Sequence, residues 1–389
     1  MRERATVTRS GPGAAAALIL VLTFALPTAG AVETPGAWSM SGELQVLALR
    51  SHDLNGASYE AAASRLRLKF KGIIGPAARI DLQYEHELRG GSVLQTVTYA
   101  MEQAAMAPPY WRLQSTYLER GDLIASHGLH RASLSLDQGD STARFGRQRV
   151  AWGVGRIWSP LDRLNPPPVT TLDRSERAGV DALLLEHRFG AVARLSAAVA
   201  MGHDRASRSQ ALRWHGTVSE TEYSVVTGRF KQDRVTGLDL THRLGDAIVR
   251  AEWARIDEDG GNAHDRTLLG ADLAFANTLN LAAEFYQDGS GADRLESYDF
   301  EALARGRRST LGRRYLGLQA SIESSPRVRW HLDAIVNLVD QSRYLAPSVV
   351  FEFRPDADVT AGLQSFAGRT GSEFGLRADA AYLRFRWFF

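Results

Sequence analysis

Apolar and polar residues alternate one by one through most of this chain, and that period-2 pattern limits the fold more than any other feature. In the clearest stretch Val328, Trp330, Leu332, Ala334, Val336 and Leu338 share one face, while Arg329, His331, Asp333 and Asn337 share the other. Successive side chains point to opposite faces only in an extended strand, so the pattern reads as strand rather than helix. Leu66, Leu68 and Phe70 alternate in the same way with Arg65, Arg67, Lys69 and Lys71. Past a Gly75-Pro76 turn, Ile80, Leu82 and Tyr84 alternate with Arg79, Asp81, Gln83 and Glu85. The pattern recurs at Leu195–Val199, Leu238–Leu240, Val249–Trp253, Leu269–Phe275 and Leu279–Phe285. Strands of roughly 9–12 residues are long enough to cross a hydrocarbon core when tilted.

The connections between these strands differ in length. Tight turns are predicted at Gly75-Pro76, Asp137–Asp140, Phe189-Gly190, Leu244–Asp246, Ser324–Pro326 and Pro355–Asp358. Longer polar links fall at Ser51–Ala63, Gly90–Ser126, Ala151–Gly179, Asp257–Asp265 and Asp288–Arg313. Short turns on one side and long loops on the other are the asymmetry of an outer-membrane barrel. The pattern predicts about 16–18 antiparallel strands, and two termini on the periplasmic side require an even number. The stretch Ala206–Thr221 is ambiguous, and a strand concealed near Leu212–Val218 would make the count 18. A soluble sandwich also alternates, but a polar face so dense in Arg, Asp and Glu argues against it.

Both ends of the chain agree with a barrel. The last nine residues, Ala381–Phe389, put Phe389, Trp387, Phe385, Leu383 and Ala381 on one face and Arg386 and Arg384 on the other. Such a strand at a chain end would fray into water unless it faced lipid. At the other end Arg2, Arg4 and Arg9 precede an apolar run, Ala14–Leu26, and the small residues Ala29-Gly30-Ala31. This is the form of a secretory signal peptide, so residues 1–31 are expected to be removed and 32–389 to form one barrel domain. The apolar run is too short for the roughly 20 residues of a spanning helix.

Composition then narrows the function. Cys is absent, which excludes disulfides, thiolate metal sites and Cys nucleophiles. The formal charge of +2 is carried by the first 31 residues, which hold three Arg and one Glu, so the remainder is neutral and gives a nucleic-acid partner no net attraction. Hydrophobic content of 44% and a mean hydropathy of −0.22 look soluble, yet a barrel with a polar lumen gives the same averages. The ten His are dispersed, with no His-Glu-x-x-His spacing, no Gly-x-Ser-x-Gly elbow and no phosphate-binding Gly-rich loop ending in Lys. The reading is therefore not an enzyme, with no cofactor and no metal. Asp257, Asp259, Asn262, Asp265, Asp288 and Asp293 sit in acidic links, but they do not match a Ca²⁺ loop and read as hydrated loop tips.

The most distinctive internal segment runs from Gly146-Arg147-Gln148-Arg149 through Trp152-Gly153-Val154-Gly155-Arg156-Ile157-Trp158-Ser159-Pro160-Leu161-Asp162-Arg163 to Asn165-Pro166-Pro167-Pro168. With Gly237-Leu238-Asp239, Asn337–Asp340, Ala346-Pro347-Ser348, Gly371–Gly375 and the final strand, it resembles a group of porin-like Gram-negative outer-membrane proteins. The group is similar to large single-chain porins and alginate-export-type barrels. The resemblance covers most of 32–389, although each motif is short. It implies an all-β transmembrane barrel in the outer membrane, and a closing strand recognised by the barrel-assembly machinery.

Two sets of charged residues are candidates for the pore. The Gly pairs permit sharp turns and the Pro run stiffens the residues after it, so Ala151–Gly179 is expected to bend into the lumen. It would bring Arg156, Asp162, Arg163, Asp173 and Arg174 near the path, beside Arg147 and Arg149. Alternatively the segment is a structural loop pinned to the wall. The second set is a basic ladder, Arg65, Arg67, Lys69, Lys71 and Arg79, with Asp81, Glu85 and Glu87 beside it. It would either set a transverse field that favours anions or form solvated cross-strand ion pairs. The sequence thus predicts a channel for small hydrophilic solutes. The alternative is a non-conducting outer-membrane barrel for polysaccharide export, anchoring or envelope assembly.

Overall fold

The structure is a computed structural model that describes residues 38–105, 109–166, 169–172, 179–304 and 308–389. The predicted signal peptide, Pro167, Pro168, Asp173 and Arg174 lie outside the described residues. Among these residues the chain forms 19 strands and two short helices. The first part runs β1 (Trp38–His52), β2 (Ser58–Ile74), β3 (Ala78–Gly90), α1 (Val97–Ala105), β4 (Gln114–Arg120), β5 (Leu123–Gln138), β6 (Ser141–Gln148), β7 (Val180–Phe189), β8 (Ala193–Ala200) and β9 (Ser209–Val218). It continues with β10 (Thr221–Phe230), β11 (Asp233–Leu244), β12 (Ala247–Asp257), β13 (His264–Ala274), β14 (Asn280–Asp288) and α2 (Phe300–Ala304). The last strands are β15 (Arg314–Ser325), β16 (Val328–Asn337), β17 (Arg343–Arg354), β18 (Ala357–Ala367) and β19 (Ala380–Phe388).

Every strand except β4 pairs antiparallel with its two neighbours, and β19 pairs with β1 from Glu43↔Phe388 to Arg50↔Ala381. The result is a closed antiparallel barrel of 18 strands, in which none of the 18 is left as an edge. No helix among the described residues is long and apolar enough to cross a membrane. The concealed strand near Leu212–Val218 is β9, and it brings the count to the even number that puts both ends of the described barrel beside the short turns. β4 extends the wall beyond β6, along the part of β5 nearest the long loops.

One of the expected long links is shorter than the sequence suggested. The Ser51–Ala63 link shrinks to residues 53–57, because β1 and β2 continue pairing as far as His52↔Ser58. Backbone hydrogen bonds keep a hairpin zipped after its side chains cease to alternate cleanly. At the same end, β10 and β11 are joined by only Lys231 and Gln232.

The outward register is apolar around the barrel, with Leu238, Trp253, Leu269, Leu316, Trp330 and Leu383 all exposed. An apolar belt this extensive is stable only against lipid. The buried core is inside the barrel, where inward residues of β7–β17 meet the connection after β6.

Candidate functional site

The connection following β6 packs on the inner wall through two apolar clusters. Trp152 and Leu161 meet Leu184, Ala198, Ala211, Val226, Val235 and Ala254, small or medium side chains that leave room for the segment. Further on, Ile157 and Trp158 meet Leu268, Tyr286, Tyr315 and Ile335, with Trp158 stacked on Tyr286 at 5.3 Å between ring centres. Glycines make the close approach possible. A Cβ on Gly317 of β15 would lie 2.5 Å from Ile157, and one on Gly155 would lie 1.8 Å from the Trp158 carbonyl oxygen.

A segment without a hydrogen-bonded partner strand must satisfy its backbone N–H groups elsewhere. Two wall carboxylates do this. Glu252 of β12 accepts from the N–H groups of Val154, Gly155 and Leu161 and from Ser159 Oγ, the Gly155 bond being 2.6 Å. Glu284 of β14 accepts from the N–H groups of Arg156, Ile157 and Trp158 at 2.6, 3.0 and 3.3 Å. Arg250 donates to the Val154 carbonyl at 2.9 Å, and Arg156 pairs with Asp272 of β13 at 2.6 Å. Further along, the Thr170 carbonyl accepts from Gln364 of β18 at 3.0 Å. The segment thus reaches from β7 to β18 inside the barrel.

Cavities lie on both sides of it. Towards the short-turn end, a cavity of about 650 Å³ is bordered by Arg156, Thr171 and Leu172 of the segment and by Asp272, Arg329, His331, Asp333, Arg384 and Arg386 of the wall. Towards the long-loop end, cavities of about 260 and 140 Å³ are lined by Trp158 together with Thr170 and Arg377, or Arg163, Arg266 and Arg308. Arg386 pairs with Asp358 at 2.8 Å, and Arg329 with Glu323 at 3.0 Å.

The residues expected at the pore divide into three groups. Arg156 borders the larger cavity, whereas Asp162 is buried and Arg163 pairs with Asp233 at 2.8 Å, so these two brace the segment. Arg65, Arg67, Lys69, Arg79, Asp81 and Glu85 lie on the inward register of β2 and β3, with Arg65↔Glu87, Arg67↔Glu85 and Lys71↔Asp81 as direct partners. Arg67 is 1% exposed and forms an ion pair with Glu85, and Arg79 pairs with Asp137 at 2.8 Å. The basic ladder therefore has its counter-charges on its own wall. In a ring of 18 strands, β2 and β3 stand opposite β12 and β13, so the ladder faces the clamped segment across the lumen.

Arg147 corrects the sequence reading. It shares the outward face with the exposed Phe145, two residues away, and its register partner is Asp181, to which it is paired at 2.8 Å. It also donates to the Trp111 carbonyl, so the stretch around Trp111 covers the pair. Strand parity counted from Phe145 would have found this. Arg149 lies just past the end of β6 and is exposed. The acidic links also hold their charges locally, with Asp265 on Arg255 and Asp288 on Arg266 and Ser290.

No family model matches the chain, and no curated protein matches it either. Among solved structures, OccK5 (OpdH) of Pseudomonas aeruginosa matches with a TM-score of 0.62 at 10% identity, covering 90% of this chain and 97% of that one. The outer membrane protein OpdK of the same organism matches at 0.57 with 12% identity, covering 92% and 100%. OccK2 (OpdF), again from Pseudomonas aeruginosa and in complex with glucuronate, matches at 0.57 with 10% identity, covering 92% and 99%. The fold is that of outer-membrane porin barrels. At these identities the likeness is one of fold.

Several of the lumen residues were not predicted. Glu252, Glu284, Arg250 and Asp272 alternate like any inward charge, and nothing nearby in sequence marks them as anchors. The short motifs Asn337–Asp340 and Gly371–Gly375 converge on one buried knot. Glu373 accepts from Tyr315 Oη at 2.6 Å and from Asn337 Nδ2 at 2.8 Å, while its own N–H donates to Asp340 at 2.8 Å. Burial pushes the Glu373 carboxyl up to about 7, outweighing the donors that favour its charge. The knot fastens the loop between β18 and β19 to β15 and β16.

Proposed function

We propose that the protein is an outer-membrane channel for passive diffusion of small hydrophilic solutes, made as a precursor whose first 31 residues are removed. The segment after β6 narrows a charged lumen and divides an external vestibule from a periplasmic one. The observation that carries this reading is the double clamp, in which Glu252 and Glu284 together accept six backbone N–H groups from residues 154–161. A segment anchored so completely, with polar cavities on both sides, is suited to a fixed constriction. Arg156, Arg329, Arg384 and Arg386 border the larger cavity together with Asp246, Asp272 and Asp333, a mixed charged surface suited to small hydrophilic solutes. The reading is a channel and not an enzyme. The closing strand β19, apolar outward and aromatic at its end, supplies the signal for the barrel-assembly machinery.

Purified protein in a planar bilayer tests the proposal. Discrete conductance steps are expected, and deleting Val154–Pro168 should enlarge them. Absence of steps from folded wild-type protein would instead favour a non-conducting barrel for export, anchoring or assembly.

A further inference from the structure

Outward-facing cations are confined to one end of the barrel. Arg50, Arg229, Arg234, Arg255, Arg314 and Arg343 all occupy the outward register near the long-loop end, and all are exposed. At the short-turn end the same register carries Phe189, Val218, Leu244, Trp330 and Trp387, and no described strand places an outward Arg or Lys there. A barrel that only needed solubility at its rims would have no reason to separate the two so completely.

The cations are densest on the hairpin of β10 and β11. Arg229 and Arg234 are direct register partners, so two guanidinium groups stand side by side on the outer wall. Like charges opposite each other destabilise a strand pair unless something neutralises them. Neither group makes an ion pair among the described residues, although Asp257 of β12 is the register partner of Arg234 on its other side. The covered Arg147 is the contrast, an outward cation given Asp181 as partner and the Trp111 stretch as a lid. The turn above Arg229 and Arg234 contains only Lys231 and Gln232, and the exposed Lys231 adds a third cation without a long loop to cover the site.

Along the hairpin, the outer wall changes chemistry in steps. Val225 and Leu238 belong to the apolar belt, Thr227 and Thr236 come next with hydroxyls 3.2 Å apart, and then Arg229, Arg234 and Lys231. Arg234 lies four residues beyond Leu238, about 13 Å along a tilted strand, which carries it past the apolar belt towards the polar head groups. Guanidinium groups bind phosphate through paired N–H donors, and a neighbouring ammonium adds point charge.

We propose that the β10–β11 hairpin end binds the phosphate-bearing head group of a glycolipid in the outer leaflet. This rests on the outer-membrane reading of the barrel but not on conduction. The site holds the lipid by Arg229, Arg234 and Lys231 from above, with the two Thr hydroxyls at the sugar level and the apolar belt along its chains.

Native mass spectrometry of the folded full chain in detergent tests it, with diphosphoryl lipid A and the same lipid without phosphates as probes. Wild type should retain the diphosphoryl lipid. A triple variant, Arg229→Gln, Lys231→Gln and Arg234→Gln, should lose retention by on the order of tenfold or more, with no change for the dephosphorylated lipid. Heat-modifiable gel migration reports that the variant is folded, and the substitutions lie outside the lumen, so conductance should be unchanged. The pair Arg314→Gln and Arg343→Gln should have a much smaller effect. Equal retention by wild type and triple variant would overturn the proposal, as would displacement of the lipid by millimolar inorganic phosphate, which would mark a free-anion site. A wild-type barrel that binds the lipid but gives no conductance steps would defeat the channel reading alone.

Discussion

The wall of β2 and β3 and the wall of β12–β14 carry similar inward patterns of Arg, Asp and Glu, yet they use those charges differently. On the first wall the charges answer one another across a strand pair, as in Arg67 with Glu85. On the second, Glu252 and Glu284 hold the backbone of a distant segment, Glu284 while also standing 3.6 Å from Arg250 of the same wall. The difference shows that a charged inward residue is not by itself a pore determinant. What matters is whether its partner is another side chain of the wall or the peptide groups of something inside it.

The strongest way to break that comparison is to remove both anchors. Glu252→Leu with Glu284→Leu strands six N–H groups, three of them buried at roughly 1–3 kcal/mol each, and should lower the thermal unfolding midpoint and make single-channel currents larger and noisier. Unaltered stability and conductance would show that the clamp holds nothing. Next in size, Trp158→Ala removes the side chain stacked on Tyr286 and should cost roughly 3–5 kcal/mol, read by denaturant unfolding, again with larger conductance.

The opposite wall should respond differently. Arg67→Gln and Glu85→Gln, taken singly and together in a double-mutant cycle, should reveal a coupling of about 1–3 kcal/mol in stability with single-channel conductance nearly constant. A conductance change as large as that from losing the clamp would erase the distinction between the walls. The smallest expected effect concerns the knot at Glu373. Its carboxyl is held at about 7 in place against an ordinary 4.5, so the folded loop binds the proton more tightly than the released loop. The knot is therefore firmest below about 4.5, loosens as pH rises towards 7 and changes little beyond. Limited proteolysis of the loop between β18 and β19 should be a few-fold faster at pH 8 than at pH 5, after correction for protease activity. Glu373→Gln should remove the dependence, and a variant that kept it would place the titration elsewhere.

Much of the fold was legible because strand parity is a local rule. Leu383, Phe385 and Trp387 on one face and Arg384 and Arg386 on the other fix which side of β19 meets lipid, and the structure keeps that assignment. The same rule, applied from Phe145, would have moved Arg147 to the outer wall. The clamp was beyond reach, because Val154–Leu161 and Glu252 are some 90 residues apart or more and share no local pattern.

The sequence by itself determined the strand alternation, the difference between short and long connections, and the apolar exterior with its aromatic closing strand. These arise from backbone geometry and from the cost of placing polar groups in hydrocarbon, which act on every residue through its nearest neighbours. Only the tertiary structure decided which inward charges neutralise one another and which hold the segment after β6. Closing an 18-strand ring brings the partners together, and no rule of period two encodes which strands will stand opposite.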